Sequence, residues 1–220
     1  MILKLFGKAF QFISKVYNRF LMICYRPLFR SHGRNFIFDP HSIFSFDSIE
    51  IGDDVFIGKG AYFVGLKGIF IGNKVMFGPF VSILGGNHNT SLVGVPMIDV
   101  KTKRPEDDLP VYIEDDTWIG SHAIIMKGVR VKTGSIVAAG SIVTKDVESY
   151  TIVAGIPAIF VKFRFEEIVN RLKREIKILD QLNNYRESQL ESSQLSERYS
   201  VYRRLLEKNI ENIENTLNKL

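Results

Sequence analysis

Cysteine is nearly missing from this chain: Cys24 stands alone among 220 residues. No disulfide can form within the molecule, and a reducing cytosol is the expected home. Acidic residues are missing from the start. No Asp or Glu precedes Asp39, whereas Lys4, Lys8, Lys15, Arg19, Arg26, Arg30 and Arg34 do. Those seven account for the formal net charge of +5, so the body of the chain is slightly acidic and offers no basic groove for nucleic acid. Also missing is any unbroken apolar run near the ~20 residues that a spanning helix needs. Lys8 and Lys15 interrupt the first apolar stretch and no small-residue cleavage site follows it, so a secretory signal is a poor fit. Glycine and proline disappear altogether after Phe165. With 45% hydrophobic and 24% charged residues, the rest reads as a folded domain, neither collagenous nor disordered.

What is present begins with an amphipathic segment. Over residues 2–25, polar side chains recur at Lys4, Lys8, Gln11, Lys15 and Asn18/Arg19, with Leu5, Phe6, Phe10, Phe12, Ile13, Val16, Tyr17, Phe20 and Ile23 between them. This spacing predicts a helix with a narrow basic stripe and a broad aromatic face, ended by Pro27. Two placements suit it: packing on the domain or a neighbouring subunit, or peripheral contact with an anionic membrane at the inner face of the cytoplasmic membrane.

From residue 37 onward the chain repeats itself. Large apolar residues recur every sixth position at Ile37, Ile43, Ile51, Ile57, Phe63, Ile71, Phe77 and Ile83, with two-residue offsets before Ile51 and before Ile71, then at Ile113, Ile119, Ile125, Val131, Val137 and Val143. Glycine often follows, as at Gly52, Gly58, Gly72, Gly78 and Gly120. A small or β-branched residue stands four places on, as at Val55, Ala61, Val75, Val81, Thr117, Ala123, Ser135 and Ser141. A period of six would wander around an α-helix, whose turn holds 3.6 residues. Short strands joined by tight corners satisfy it, three to a triangular coil of 18 residues. The large residue points inward and the coils stack by parallel pairing.

These rows resemble the hexapeptide-repeat acyltransferases. Ile113-Glu-Asp-Asp-Thr-Trp-Ile-Gly120, Val137-Ala-Ala-Gly-Ser-Ile-Val-Thr-Lys-Asp146 and Val153-Ala-Gly-Ile-Pro-Ala158 are similar to the branch holding the sugar and polysaccharide O-acetyltransferases and the xenobiotic acetyltransferases. The resemblance implies a mainly β protein, a left-handed parallel β-helix with helical extensions. Three segments are expected: a basic amphipathic helical segment at 1–34, the β-helix at 35–162 with a loop at 85–110, and a helical extension at 163–220. It also implies acetyl-CoA as co-substrate and a homotrimer with active sites between adjacent prisms.

The six-residue series breaks between Ile83 and Ile113, where a long polar excursion begins with Gly85-Gly-Asn-His-Asn-Thr90. Loops of that length in a solenoid carry function. Moving an acetyl group from a thioester to an alcohol needs a base, and imidazole, whose unperturbed pKa is near ~6.5, suits the task; His88 is the side chain in this loop that supplies one. The family's histidine falls at the same point. A backbone carbonyl or an acid such as Asp99 would orient it, and Asn87 and Asp99 are candidates for acceptor contacts. By the same resemblance Trp118, Ser121, Ala139, Thr144 and Lys145 line coenzyme A, and Lys145, Lys162 and Arg164 face its phosphates. Where sugar-modifying relatives carry an asparagine and an acid upstream of the histidine, this chain has Gly58 and Leu66. A small free sugar is therefore a poorer fit than a surface polysaccharide unit or its lipid-linked precursor.

Three competing readings attach to the same rows. An amino-sugar, xenobiotic or antibiotic acceptor would make the enzyme an N- or O-acetyltransferase of another class. A scaffold that kept the β-helix without turnover would need neither His88 nor Trp118. Some β-helical trimers resemble carbonic anhydrases with zinc on three histidines. Of His32, His41, His88 and His122, only His88 and His122 are suitably spaced, and they lack a third partner, so no metal is expected. Beyond Phe165, Ile168, Leu172, Ile176 and Leu179 predict a helix. The polar stretch from Asn183 to Ser193 predicts a bend, and Leu206, Ile210, Ile213, Leu217 and Leu220 follow a short heptad pattern.

Overall fold

The computed structural model describes residues 2–187 and 193–218. It divides into two compact units, Met1–Val161 and Lys162–Leu220.

The first unit is built on the six-residue period. Short parallel strands stack into three faces, each corner turning the chain onto the next face. One face stacks Ser31–His32, Ile49–Ile51, Ile69–Ile71, Val111–Ile113 and Arg130–Val131. The second stacks Phe56–Ile57, Met76–Phe77, Trp118–Ile119, Ile136–Val137 and Thr151–Ala154. The third stacks Ile43–Phe44, Tyr62–Val64, Ser82–Leu84, Ile124–Met126 and Ile142–Val143. Each inward residue sits over its counterpart in the next coil: Phe77 pairs with Ile119, Ile119 with Val137, and Ile83 with Ile125.

The interior is predominantly apolar. Ile57, Phe63, Phe77, Ile83, Ile113, Ile119 and Ile125 are fully buried, and the small residues Val75, Val81, Ala123, Ser135 and Ser141 fill the corners beside them. Burying each large side chain contributes roughly 1.5–3 kcal/mol. At the corner after the second face, successive coils approach so closely that a Cβ on Gly78 would lie 2.6 Å from the Ser121 backbone nitrogen. One on Gly120 would lie 2.5 Å from that of Ala139. At another corner, side chains tie coil to coil: Asp53 accepts the Arg34 backbone N–H at 2.7 Å, Asn73 that of Asp53 at 2.9 Å, and Asp115 that of Asn73 at 2.7 Å.

The first coil departs from the expected register. Ile37 and Ile43, expected inward, are outward and exposed, while their neighbours Phe38 and Phe44 are buried. Both positions are adjacent apolar pairs, so periodicity could not choose between them, and a one-residue slip exchanges the faces of a strand. Packing chooses the aromatics. Phe29, Phe36, Phe38, Phe44 and Phe46 form a cluster, with Phe36 stacked on Phe38 at 4.8 Å and Phe29 edge-on to Phe46 at 4.9 Å. A solenoid must cover its terminal core, and this aromatic plug does so. It continues inward through Phe44–Phe63 at 5.6 Å.

Helix α1 (Ile2–Tyr25) leads into that plug. Its last turn is seated: Met22 is buried in the core, Tyr25 packs against it, and Asn18 Oδ1 lies 3.0 Å from His41 Nε2.

The second unit contains α2 (Glu166–Glu187) and α3 (Ser193–Asn218), which pack against each other. Helix α2 extends through Asn183 and Asn184 to Glu187 and α3 begins at Ser193, both within the stretch where a bend is expected; residues 188–192 lie outside the described residues. Val169, Leu206 and Ile210 are buried, and Asp180 pairs with Arg203 at 3.2 Å. Leu220, the last residue of the heptad series, lies outside the described residues.

Candidate active site

The excursion expected after Ile83 leaves the corner between the third and first faces, and is clamped at its base. Gly86 bridges Asp108 in antiparallel fashion, Asn87 donates its backbone N–H to the Asp107 carbonyl at 2.7 Å, and Leu109 donates to Gly85 at 3.1 Å. Pairing across the insertion resumes without a shift, Ile69 opposite Val111 and Ile71 opposite Ile113. Hence the loop is an addition to an otherwise regular coil. His88 is the first side chain beyond the clamp residues, and its ring is exposed. Its neighbour Asn89 is buried and organises the following turn, donating to the Thr102 carbonyl at 3.2 Å and accepting from Ser91 Oγ at 2.8 Å. The imidazole is thus carried next to hydrogen-bonded backbone and is exposed.

Two acids that the sequence reading passed over hold this clamp. Asp107, almost completely buried, accepts from Arg104 Nη2 and from the Arg104 backbone N–H, each at 2.8 Å. Asp108, also buried, accepts from Lys103 Nζ at 2.7 Å. Lys127, from the same corner of the next coil, donates to the Asp107 carbonyl at 3.2 Å. The legible signal was Arg104-Pro-Glu-Asp107, in which proline opens a short turn and the acid three residues on reaches back to its start.

The Arg104 guanidinium, and then the backbone N–H of the same residue, hold the Asp107 carboxyl below its usual range. Since the folded value is depressed, the stabilisation is complete above the unfolded pKa near ~3.9 and is lost as pH falls through the lower folded value. Asp107→Asn should leave the prism folded but free the loop, raising tryptic cleavage at Lys101 and Lys103 roughly tenfold at neutral pH. Acidification below about pH 4 should bring the wild type toward the mutant in hydrogen exchange of the same segment. An unchanged cleavage rate would show that the pair does not hold the loop.

The expected coenzyme residues fall into separate groups. Trp118 points outward from the second face, half exposed, in line with Met76 and Ile136. Ser121 and Ala139 occupy the next corner, one coil apart, with Gly140 donating to the Ser121 carbonyl at 2.8 Å. Thr144 and Lys145 are exposed at the other corner, the one that carries His88, two coils further along. At ~4.8 Å per rung that is about 10 Å from the loop base. Within one prism, His88 and the Trp118–Ser121–Ala139 group are therefore separated by the whole third face. Lys162 and Arg164 belong to the second unit; Lys162 pairs with Glu167, and Arg164 lies 5.2 Å over the Phe165 ring. Asp99 is exposed at the end of a short turn, Met97–Asp99, and makes no bond to His88. Leu66, exposed, stands at the His88 corner one coil below, whereas Gly58 lies at the corner of Ser121.

No three His, Cys, Asp or Glu side chains group into a metal site among the described residues. His122 stacks on Phe80 at 4.9 Å, and His32 contacts the Gly33 carbonyl at 3.0 Å.

Residues 110–145 match the family described as bacterial transferase hexapeptide (six repeats), and residues 48–77 match the hexapeptide repeat of succinyl-transferase. The chain is 30% identical over 170 residues to the galactoside O-acetyltransferase of Escherichia coli K12, a match covering 76% of this chain and 74% of that protein. It belongs to the hexapeptide-repeat acetyltransferases. Membership supplies the left hand of the β-helix, which periodicity alone does not. To the galactoside O-acetyltransferase of Lactococcus lactis the chain is 31% identical over 134 residues, 60% of this chain. It spans 62% of that relative's length. A solved hexapeptide-repeat acetyltransferase of Vibrio cholerae, in complex with acetyl coenzyme A, superimposes with a TM-score of 0.56 at 31% identity, covering 63% of this chain and 73% of that one.

Proposed function

We propose that this chain is an acetyl-CoA-dependent O-acetyltransferase that modifies a hydroxyl of a saccharide, a unit of a surface polysaccharide or its precursor. The observation that carries the reading is the exposed imidazole of His88, mounted at the mouth of a clamped loop in a hexapeptide-repeat prism. In the reaction the neutral ring takes the proton of the acceptor hydroxyl as its oxygen attacks the thioester carbonyl carbon. A C–O bond forms and the C–S bond breaks. The imidazolium then returns the proton to the departing thiolate, so the ring ends neutral. Backbone N–H donors beside the carbonyl stabilise the tetrahedral oxyanion.

The division of the coenzyme residues between two corners supports a site shared by two prisms in a homotrimer. His88 with Thr144 and Lys145 comes from one copy, and Trp118, Ser121 and Ala139 from its neighbour. Contacts from Asn87 and Asp99 fall on the acceptor side. Leu66 in place of an acid beside the loop favours an acceptor held along a longer surface over one bound by polar contacts to a single small sugar.

An acceptor screen with isotopically labelled acetyl-CoA, read by mass spectrometry, tests the reading. The expected product is a base-labile acetyl ester on a saccharide. Label recovered only in amides, or no label transfer to any saccharide, would overturn it.

A further inference from the structure

Helix α1 has two unlike ends. Its last turn is buried against the aromatic plug through Met22 and Tyr25, and the Asn18–His41 contact fixes its direction. From Leu3 to Phe20 the apolar side chains have no cover: Leu5, Phe6, Phe10, Phe12 and Ile13 are each more than 60% exposed. At about 100° per residue, Leu5, Phe6, Ala9, Phe10, Phe12, Ile13, Val16, Tyr17, Phe20 and Ile23 spread over roughly half the circumference. Lys4, Lys8, Lys15 and Arg19 fall in one stripe along an edge of that arc. The seated side, Asn18, Met22 and Tyr25, lies away from the middle of the apolar arc, so docking on the prism leaves that arc outward.

We propose that α1 lies in the surface of an anionic membrane, parallel to it, with the aromatic arc below the headgroups and the four cations among the phosphates. Charge decides the occupant. The helix carries no acid, so a second α1 packed on the same face would bring four positive charges toward four others, whereas anionic lipid neutralises them. An arc half the circumference wide also exceeds the stripe that one partner helix covers, but suits a fluid apolar layer. None of the described helices is long and apolar enough to cross a membrane, so the helix lies on the surface. The seated last turn then holds the prism at the interface.

The full chain, mixed with vesicles of phosphatidylglycerol or of phosphatidylcholine and floated through a density gradient, should rise with the first and stay behind with the second. High salt should weaken the binding, since counter-ions screen the cations. Lys4→Glu/Lys8→Glu/Lys15→Glu should lower the floating fraction at least about tenfold. Phe10→Asp/Ile13→Asp should abolish it with an unchanged melting temperature, because neither side chain has a covering partner. Equal flotation with both lipids would overturn the proposal. So would absence of flotation, most directly if Phe10→Asp/Ile13→Asp changes the mass seen by light scattering, which would place a second copy on this face. No turnover is measured, so the result stands apart from the acetyltransferase reading.

Discussion

His88→Ala should reduce acetyl transfer by about 10²–10⁴-fold, the range that a positioned general base contributes. The melting curve should stay unchanged, since the ring is exposed and buries nothing. Binding of acetyl-CoA, followed as thermal stabilisation, should also persist, because the side chains expected to hold the coenzyme do not include His88. This combination separates lost chemistry from lost structure; a scaffold without turnover would show no effect of the substitution on any of the three measurements. The site-sharing arrangement adds a second readout. Ala139→Glu should block the neighbouring corner, and a mixture of His88→Ala and Ala139→Glu chains, co-expressed, should regain part of the activity that each lacks. Mixed oligomers contain some sites built from the intact half of each chain. No recovery would place the whole site within one prism.

Ile119→Asp is expected to have the largest effect on stability. Ile119 is fully buried at the middle of the second face, between Phe77 and Val137 in the neighbouring coils. The substitution forfeits roughly 1.5–3 kcal/mol of burial and puts a carboxylate into the buried apolar interior, at a further cost of several kcal/mol. Together these rival the whole stability of an ordinary domain, about 5–15 kcal/mol. Loss of soluble, cooperatively melting protein is the expected outcome, read by circular dichroism. Ile119→Val, which removes one methylene from the same place, should cost about 0.5–1.5 kcal/mol and leave the fold intact. A soluble, cooperatively melting Ile119→Asp chain would mean that the second face is not packed inward.

The prism was legible because its rule is local. Every sixth residue from Ile51 to Phe63, from Ile71 to Ile83 and from Ile113 to Val143 is apolar, and in the structure each is buried. Where two apolar residues stand side by side, as at Ile37-Phe38 and Ile43-Phe44, the period gives no preference. The choice fell to ring packing around Phe29 and Phe36, contacts that exist only once the end of the solenoid is closed. His88 could be singled out because it is the loop's only imidazole. Asp107 was marked only by the Arg104-Pro-Glu-Asp107 turn, and Asp108 not at all, because an acid in a polar loop looks solvated until the fold buries it, here against Lys103.

By itself, then, the chain determined a stack of triangular coils interrupted once, with a basic amphipathic helix before it and a glycine-free helical segment after it. Period, charge and turn residues act over a few neighbours and can be read along a line. Only the tertiary structure decided which rings plug the open end, how the loop is pinned, and that His88 and Trp118 project from separate parts of the prism. Those outcomes depend on distances between residues far apart in sequence, set by how many coils intervene and which corner each residue occupies.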